Sequence, residues 1–344
     1  MPLIWFGILA VMLTTYVVLD GLDFGAGIVH LFVAKTDEER RTVLASIGPI
    51  WDGNEVWLIA SGGVLFFAFP HAYSAATSGF YMPLMIVLWM LIFRGLSIEL
   101  RSTLENPLWR AFWDTAFASA SMLLALVFGA TFGNIVRGVA IDDDGYFSTP
   151  LFTTFFPSKN GGALDAYTVL VGLFAVAALG AHGALFLKWK TSGAIAERAT
   201  RLAKRLLIVA GVLDVAVAIA SAAVNTEALH AFASRPLAWV FALVAVGGVA
   251  VTVRGLAKDQ ELAPFVGSAL FLGGTLLAGG VALSPMLLRS TVDPIYSLDA
   301  AHAASGRHGL SIALYWFAPA LGLAVAYLVM IAKATRGKTN ADAH

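Results

Sequence analysis

The chain contains no cysteine. Disulfides, iron–sulfur clusters and thiolate-ligated haem are thereby excluded for it, and any redox cofactor would need histidine, methionine or a partner subunit. Charge is scarce as well: Asp, Glu, Lys and Arg make up 13% of 344 residues and sum to a net charge of zero, against roughly a quarter in soluble domains. No global field points to nucleic acid. Histidine is sparse, with seven residues in all. A haem-binding bundle sets its ligands in facing helical positions. Here His71, His230, His302 and His344 fall in loops or the tail, His308 opens the last apolar segment, and His30 ends the first. Only His182, beside Gly180 and Gly183, lies deep in a segment. Haem ligation by this chain is therefore not expected. The start, Met1-Pro2-Leu3, has no basic n-region, and no small-residue cleavage pattern follows. The first apolar run is expected to stay as a membrane helix.

Apolar residues fill the space that charge leaves, at 59% of the chain. A bilayer-spanning helix needs about 20 mostly apolar residues. Nine such windows recur, near residues 2–33, 45–69, 75–98, 112–136, 164–187, 202–224, 236–254, 263–287 and 308–332. Seventeen of the 22 Lys and Arg fall in alternate connections, among them Lys35, Arg40 and Arg41, then Arg101 and Arg110, then Lys188 to Arg205. The positive-inside rule then places the N-terminus outside and the C-terminus inside, which requires an odd number of spans. Trp5 and Trp239 fall near expected outer ends and Trp109, Trp113 and Trp189 near inner ends, as in an aromatic belt. Pro83 and Pro319 are expected to kink their helices. No long linker divides the chain, so an all-α, polytopic membrane domain over 1–344 is expected. An echo between Lys35-Thr36 with Glu39-Arg40 and Lys190-Thr191 with Glu197-Arg198 is consistent with a parallel repeat of two four-helix units, 1–136 and 164–287, plus a ninth helix at 308–332. Chance similarity between two basic loops is the alternative.

Acids at membrane depth need a reason, because an Asp at a span's centre costs about 2.5–3.5 kcal/mol on insertion scales. Asp20 and Asp23 lie in the inner half of the first span, Asp52 and Glu55 in the first turns of the second, and Asp214 midway along the sixth. Each of the two pairs is spaced i, i+3 and shares a helical face. Gly21, Gly25 and Gly27 let a second backbone approach the first pair. From their distances to a shared inner loop, Asp23 and Asp52 are expected at comparable depth and in contact. Clustered carboxylates away from water suit a site that takes up and passes protons. Asp20 and Asp214 also fit a helix-packing or lone role. Arg94, late in the third span, can reach these acids or snorkel to the inner surface, and snorkelling is favoured.

At these segments the sequence resembles subunit II of the cytochrome bd-type quinol oxidases, including their cyanide-insensitive branch. The resemblance rests on Leu19-Asp20-Gly21-Leu22-Asp23-Phe24-Gly25, on Gly48-Pro49-Ile50-Trp51-Asp52-Gly53-Asn54-Glu55-Val56-Trp57-Leu58, on Phe69-Pro70 with Tyr73, and on Phe93-Arg94-Gly95 with Glu99 and Arg101. It covers about the first 115 residues by motif, and the remainder in helix number and length. It implies nine helices, two four-helix bundles and one peripheral helix, paired with a haem-bearing subunit I in a bacterial cytoplasmic membrane. Two b-type haems, a d-type or third b-type haem and the quinol-oxidising loop would belong to that partner. Small single-helix subunits are left open. The complex would oxidise quinol at the outer side, reduce dioxygen to water and draw protons from the cytoplasm. By motif position Asp52 resembles the interface acid that relays protons toward the oxygen-reducing haem, and Asp23 its neighbour. Glu55 and Asp20 would be further relay groups, Trp57 would line an oxygen path, and Arg94 would be a charge partner. The alternative from the residues alone is a secondary transporter that couples protons or sodium through the same acids.

Overall fold

The computed structural model describes residues 1–158 and 161–339; Lys159 and His344 lie outside the described residues. Within them the chain forms twelve α-helices and one two-stranded hairpin. The first, α1 (Pro2–Val33), opens with proline where a missing N–H is harmless. A short amphipathic helix, α2 (Asp37–Ile47), begins with a capping box between Thr36 and Glu39. There follow α3 (Trp51–Ala68), α4 (Pro70–Gly79), α5 (Tyr81–Leu100), α6 (Pro107–Arg137), α7 (Ala166–Lys190), α8 (Gly193–Val224), α9 (Thr226–Ser234), α10 (Pro236–Ala257), α11 (Leu262–Leu283) and α12 (Arg307–Ala334).

Eight of these helices are long and apolar enough to cross a bilayer: α1, α5, α6, α7, α8, α10, α11 and α12. The segment expected at 45–69 divides at a turn over 48–50 into the end of α2 and the 18-residue α3. Acids in its first turns keep α3 out of that set. The segment expected to start at 75 begins instead inside the separate α4. Pro83, expected to kink a helix, is the third residue of α5, where its missing N–H has no helical acceptor to lose. Pro319 does lie inside α12. Trp5 is no belt residue: it is 2% exposed, wedged edge-on against Phe67 and Phe317, and donates from Nε1 to the Leu310 carbonyl at 3.2 Å.

The centre of the fold is the crossing of α1 with α7, and α1 also packs on α3, α6 and α11. Glycine makes the crossing possible. A Cβ on Gly25 would stand 2.0 Å from the Leu179 carbonyl oxygen, and one on Gly183 would stand 2.1 Å from the Gly25 carbonyl carbon. His182 ties the same crossing to α11: Nδ1 bonds Ser268 Oγ at 2.6 Å, Nε2 bonds the Val18 carbonyl at 3.1 Å, and the ring stacks on Phe265. In contrast α12 stands off the bundle and touches it through long side chains, Phe317 on Trp5 and Tyr327 over Gly53.

Candidate functional site: a buried carboxylate cluster

Three carboxylates and one guanidinium converge where α1, α3 and α5 meet. Arg94 of α5 is fully buried, donates from Nη1 to Asp20 Oδ1 at 2.6 Å and from Nη2 to Glu55 Oε1, and lies 4.6 Å from the centre of the Phe24 ring. The favoured snorkelling position is therefore wrong. Two acceptors and an aromatic face inside the bundle outweigh what the inner surface offers, and a buried guanidinium needs such partners. Asp20 and Asp23 are both fully buried. Asp23 Oδ2 accepts from Asn54 Nδ2 at 2.8 Å, and the same amide reaches the Leu19 carbonyl at 3.2 Å. Apart from the facing Asp20 carboxyl, Asp23 Oδ1 has no partner among the described residues.

The expected contact between Asp23 and Asp52 is replaced by one with Asn54. Depth was read correctly: the chain re-enters the bundle through the buried side of α2, so α3 starts beside the inner half of α1. Azimuth was not. Residues two apart on a helix point about 200° away from one another, so with Asn54 turned to α1, Asp52 turns outward and is exposed. Glu55, one turn on, has a side chain 22% exposed and stands between the two environments. The resulting order runs from Asp23 through Asp20 and Arg94 to Glu55 and then to Asp52 on the surface. Val56 and Ile59 continue the exposed face that Asp52 opens. Trp57 is 8% exposed and packed in the same apolar core as Leu22, Phe24 and Val87.

A second polar group, not anticipated from the sequence, closes the basic end of the bundle. Asp114 of α6, 1% exposed, accepts from Arg101 Nε at 2.7 Å and Arg40 Nη1 at 2.9 Å, and bonds His30 Nε2 at 2.8 Å. Asp37 extends this to the surface through Arg101 and Arg110. Asp114 lies two residues inside an apolar window, close enough to its end to pass for a boundary residue. Asp214, by contrast, has no bonded partner among the described residues.

No group of three or more His, Asp or Glu among the described residues could hold a metal ion. The two deep histidines are engaged, His30 with Asp114 and His182 with Ser268 and Val18, so neither presents a facing pair of axial ligands. Among the described residues, those buried in the bundle do not fit a haem.

The fold and the cluster define a multi-helix membrane protein with ionisable groups paired inside its bundle, and comparison with known proteins narrows the class. The sequence model of the family described as cytochrome bd terminal oxidase subunit II matches residues 1–334. Cytochrome bd-I ubiquinol oxidase subunit 2 of Escherichia coli K12 is 33% identical, over 92% of this chain and 89% of that protein. Cytochrome bd ubiquinol oxidase subunit 2 of Bacillus subtilis is 31% identical, over 90% and 88%. A bd oxidase structure from Geobacillus thermodenitrificans shares the fold, with a TM-score of 0.72 at 18% identity, over 97% of this chain and 98% of that one. This chain belongs to the cytochrome bd terminal oxidase subunit II family. It is thus the second subunit of a respiratory oxidase, working beside a first subunit in a complex that contains haem, and the transporter alternative is set aside.

Proposed function

We propose that this subunit delivers protons to the oxygen-reducing haem of subunit I through the series Asp23, Asp20, Glu55 and Asp52. The observation that carries the reading is the cluster itself. Two carboxylates, Asp20 and Glu55, share one guanidinium, and a third, Asp23, lies beside them in a water-poor interior, so an added proton reduces a local surplus of negative charge, and neighbouring oxygens can hand it on. Arg94 holds Asp20 and Glu55 in place. Asp52 is exposed on an otherwise apolar face, which suits an acid that hands protons across a subunit boundary. Trp57, packed beside this route, is the residue on this chain assigned to an apolar oxygen path.

In the same reading α3 also spans the bilayer and brings the number of spans to nine, and 1–136 and 164–287 form two four-helix units with 308–332 as the peripheral ninth helix. The N-terminus is periplasmic, and the basic end with Arg40, Arg101 and Arg110 is cytoplasmic. Two b-type haems, a d-type or third b-type haem and the quinol site reside in subunit I, with small single-helix subunits as further partners. The test is Asp52→Asn in the purified complex. Quinol oxidation and proton uptake per haem are expected to fall with haem content retained, and unchanged turnover would refute the relay.

A further inference from the structure

The cluster at Asp20 and Asp23 is closed off from water, so it needs a supply of protons, and α1 itself carries a polar stripe toward the basic end. Asp20, Asp23, Gly27 and His30 fall at steps of three, four and three residues. At 100° per residue they lie within an arc of about 80° over about 15 Å of helix. Gly27 leaves a hole that α6 fills with a hydroxyl: a Cβ there would stand 2.0 Å from Ser121 Oγ. Ser121 is wholly buried, at 0% accessibility, and its hydroxyl has no hydrogen-bond partner among the described residues. One turn nearer the basic end, His30 is also 0% exposed. Its Nε2 bonds Asp114 while its Nδ1 has no partner among the described residues. Asp23 Oδ1, Ser121 Oγ and His30 Nδ1 are therefore buried polar atoms in order along one helix face. Buried polar atoms without partners cost about 1–3 kcal/mol each, and two of these, Ser121 Oγ and His30 Nδ1, have none among the described residues, which packing alone does not explain.

We propose that this stripe is the proton inlet of the subunit, running from the Asp37–Arg101–Asp114 group through His30 and Ser121 to Asp23. The proposal rests on the reading of Asp23 as a relay group. Water at the basic end supplies the proton. With Nε2–H donating to the Asp114 carboxylate, the imidazole takes the proton from bound water on its open Nδ1 and releases it from the same atom toward Ser121, so its charge and its tautomer are both restored after each transfer. The Ser121 hydroxyl accepts one proton and donates another toward Asp23, with bound water completing hops longer than a hydrogen bond. The charged groups facing His30 are Asp114 from α6, Arg101 from the end of α5 and Arg40 from α2. Arg40 and Arg101 are both paired to Asp114, which fixes that carboxylate against the imidazole. His30 and Ser121 are proton-passing groups in this scheme, and Asp114 is a positioning residue.

The test uses the whole complex reconstituted in vesicles, with oxygen consumption and proton uptake measured per haem. Ser121→Ala is the deciding variant, because its hydroxyl bonds no other group among the described residues. A structural role predicts unchanged or slightly raised stability and unchanged turnover, whereas the inlet predicts turnover and proton uptake slowed about tenfold or more. His30→Gln is expected to slow both to a similar extent with the haem spectrum intact. Should that variant fail to assemble, Ser121→Ala still decides. Turnover of Ser121→Ala at the normal rate overturns the inlet, whatever His30→Gln does. Asp23→Asn separates the two readings: if it slows turnover and Ser121→Ala does not, the relay stands without this inlet, and if it has no effect the relay itself falls.

Discussion

Replacing Arg94 with methionine keeps much of the side chain's length and removes the charge that Asp20 and Glu55 share. Truncating one partner of a buried ion pair costs about 3–5 kcal/mol, mostly because the remaining charge stays buried without compensation. Asp20 and Arg94 are both fully inaccessible, so their pair falls in that range, while Glu55, with a side chain 22% exposed, is screened and adds less. The Phe24 ring beneath the guanidinium loses about 1 kcal/mol more of cation–π attraction. Arg94→Met is therefore expected to lower the thermal midpoint of the detergent-solubilised complex by several degrees or to prevent assembly. Asp20→Asn in the same chain should recover about half of the loss, since it removes the stranded charge. The four proteins of this double-mutant cycle are compared by loss of the haem absorbance on heating. If Arg94→Met melts with the parent protein, or Asp20→Asn makes it worse, the buried pair does not hold the cluster and Arg94 has been misread.

The Gly25 crossing makes a steric prediction. Gly25→Ala places a methyl 2.0 Å from one backbone atom and 2.5 Å from another, neither of which can rotate away, so it should cost more than the usual 1–3 kcal/mol of overpacking. Gly7→Ala, with nothing within 4 Å, is the matched control, and equal yields of the two variants would contradict the packing described. At the basic end, burial pushes the Glu39 carboxyl up, but the Arg198 guanidinium and the Lys35 and Thr36 amides outweigh it and hold the group below the usual carboxylate range. Its contribution is present above the unfolded-state value and disappears as pH falls through the lower folded value. Both side chains are about a fifth exposed, so the effect is about 1 kcal/mol or less. Arg198→Gln should lower the thermal midpoint at neutral pH and much less at acid pH, and an equal loss at both would exclude the linkage.

The sequence determined the solvent, and it carried the expectation of membrane direction and of which acids lie level with one another. Long apolar windows and alternating basic connections follow from rules that act along the chain, because hydrophobic length and loop charge are one-dimensional quantities. Position along a helix axis is one-dimensional too, which is why the segment with Asp52 was expected level with Asp23, and the first turn of α3 does meet Asp23 through Asn54. The motif that carried the family resemblance was likewise complete in the primary structure. Rotation about each helix axis was decided only by the tertiary structure, since it depends on which neighbour each face meets. A difference of two residues turned Asn54 inward and Asp52 outward, and two carboxylates on other helices drew Arg94 away from the surface. Asp114 and His30 are 84 residues apart, and nothing local in either segment names the other. Their pairing exists because α1 and α6 run side by side with those faces turned together.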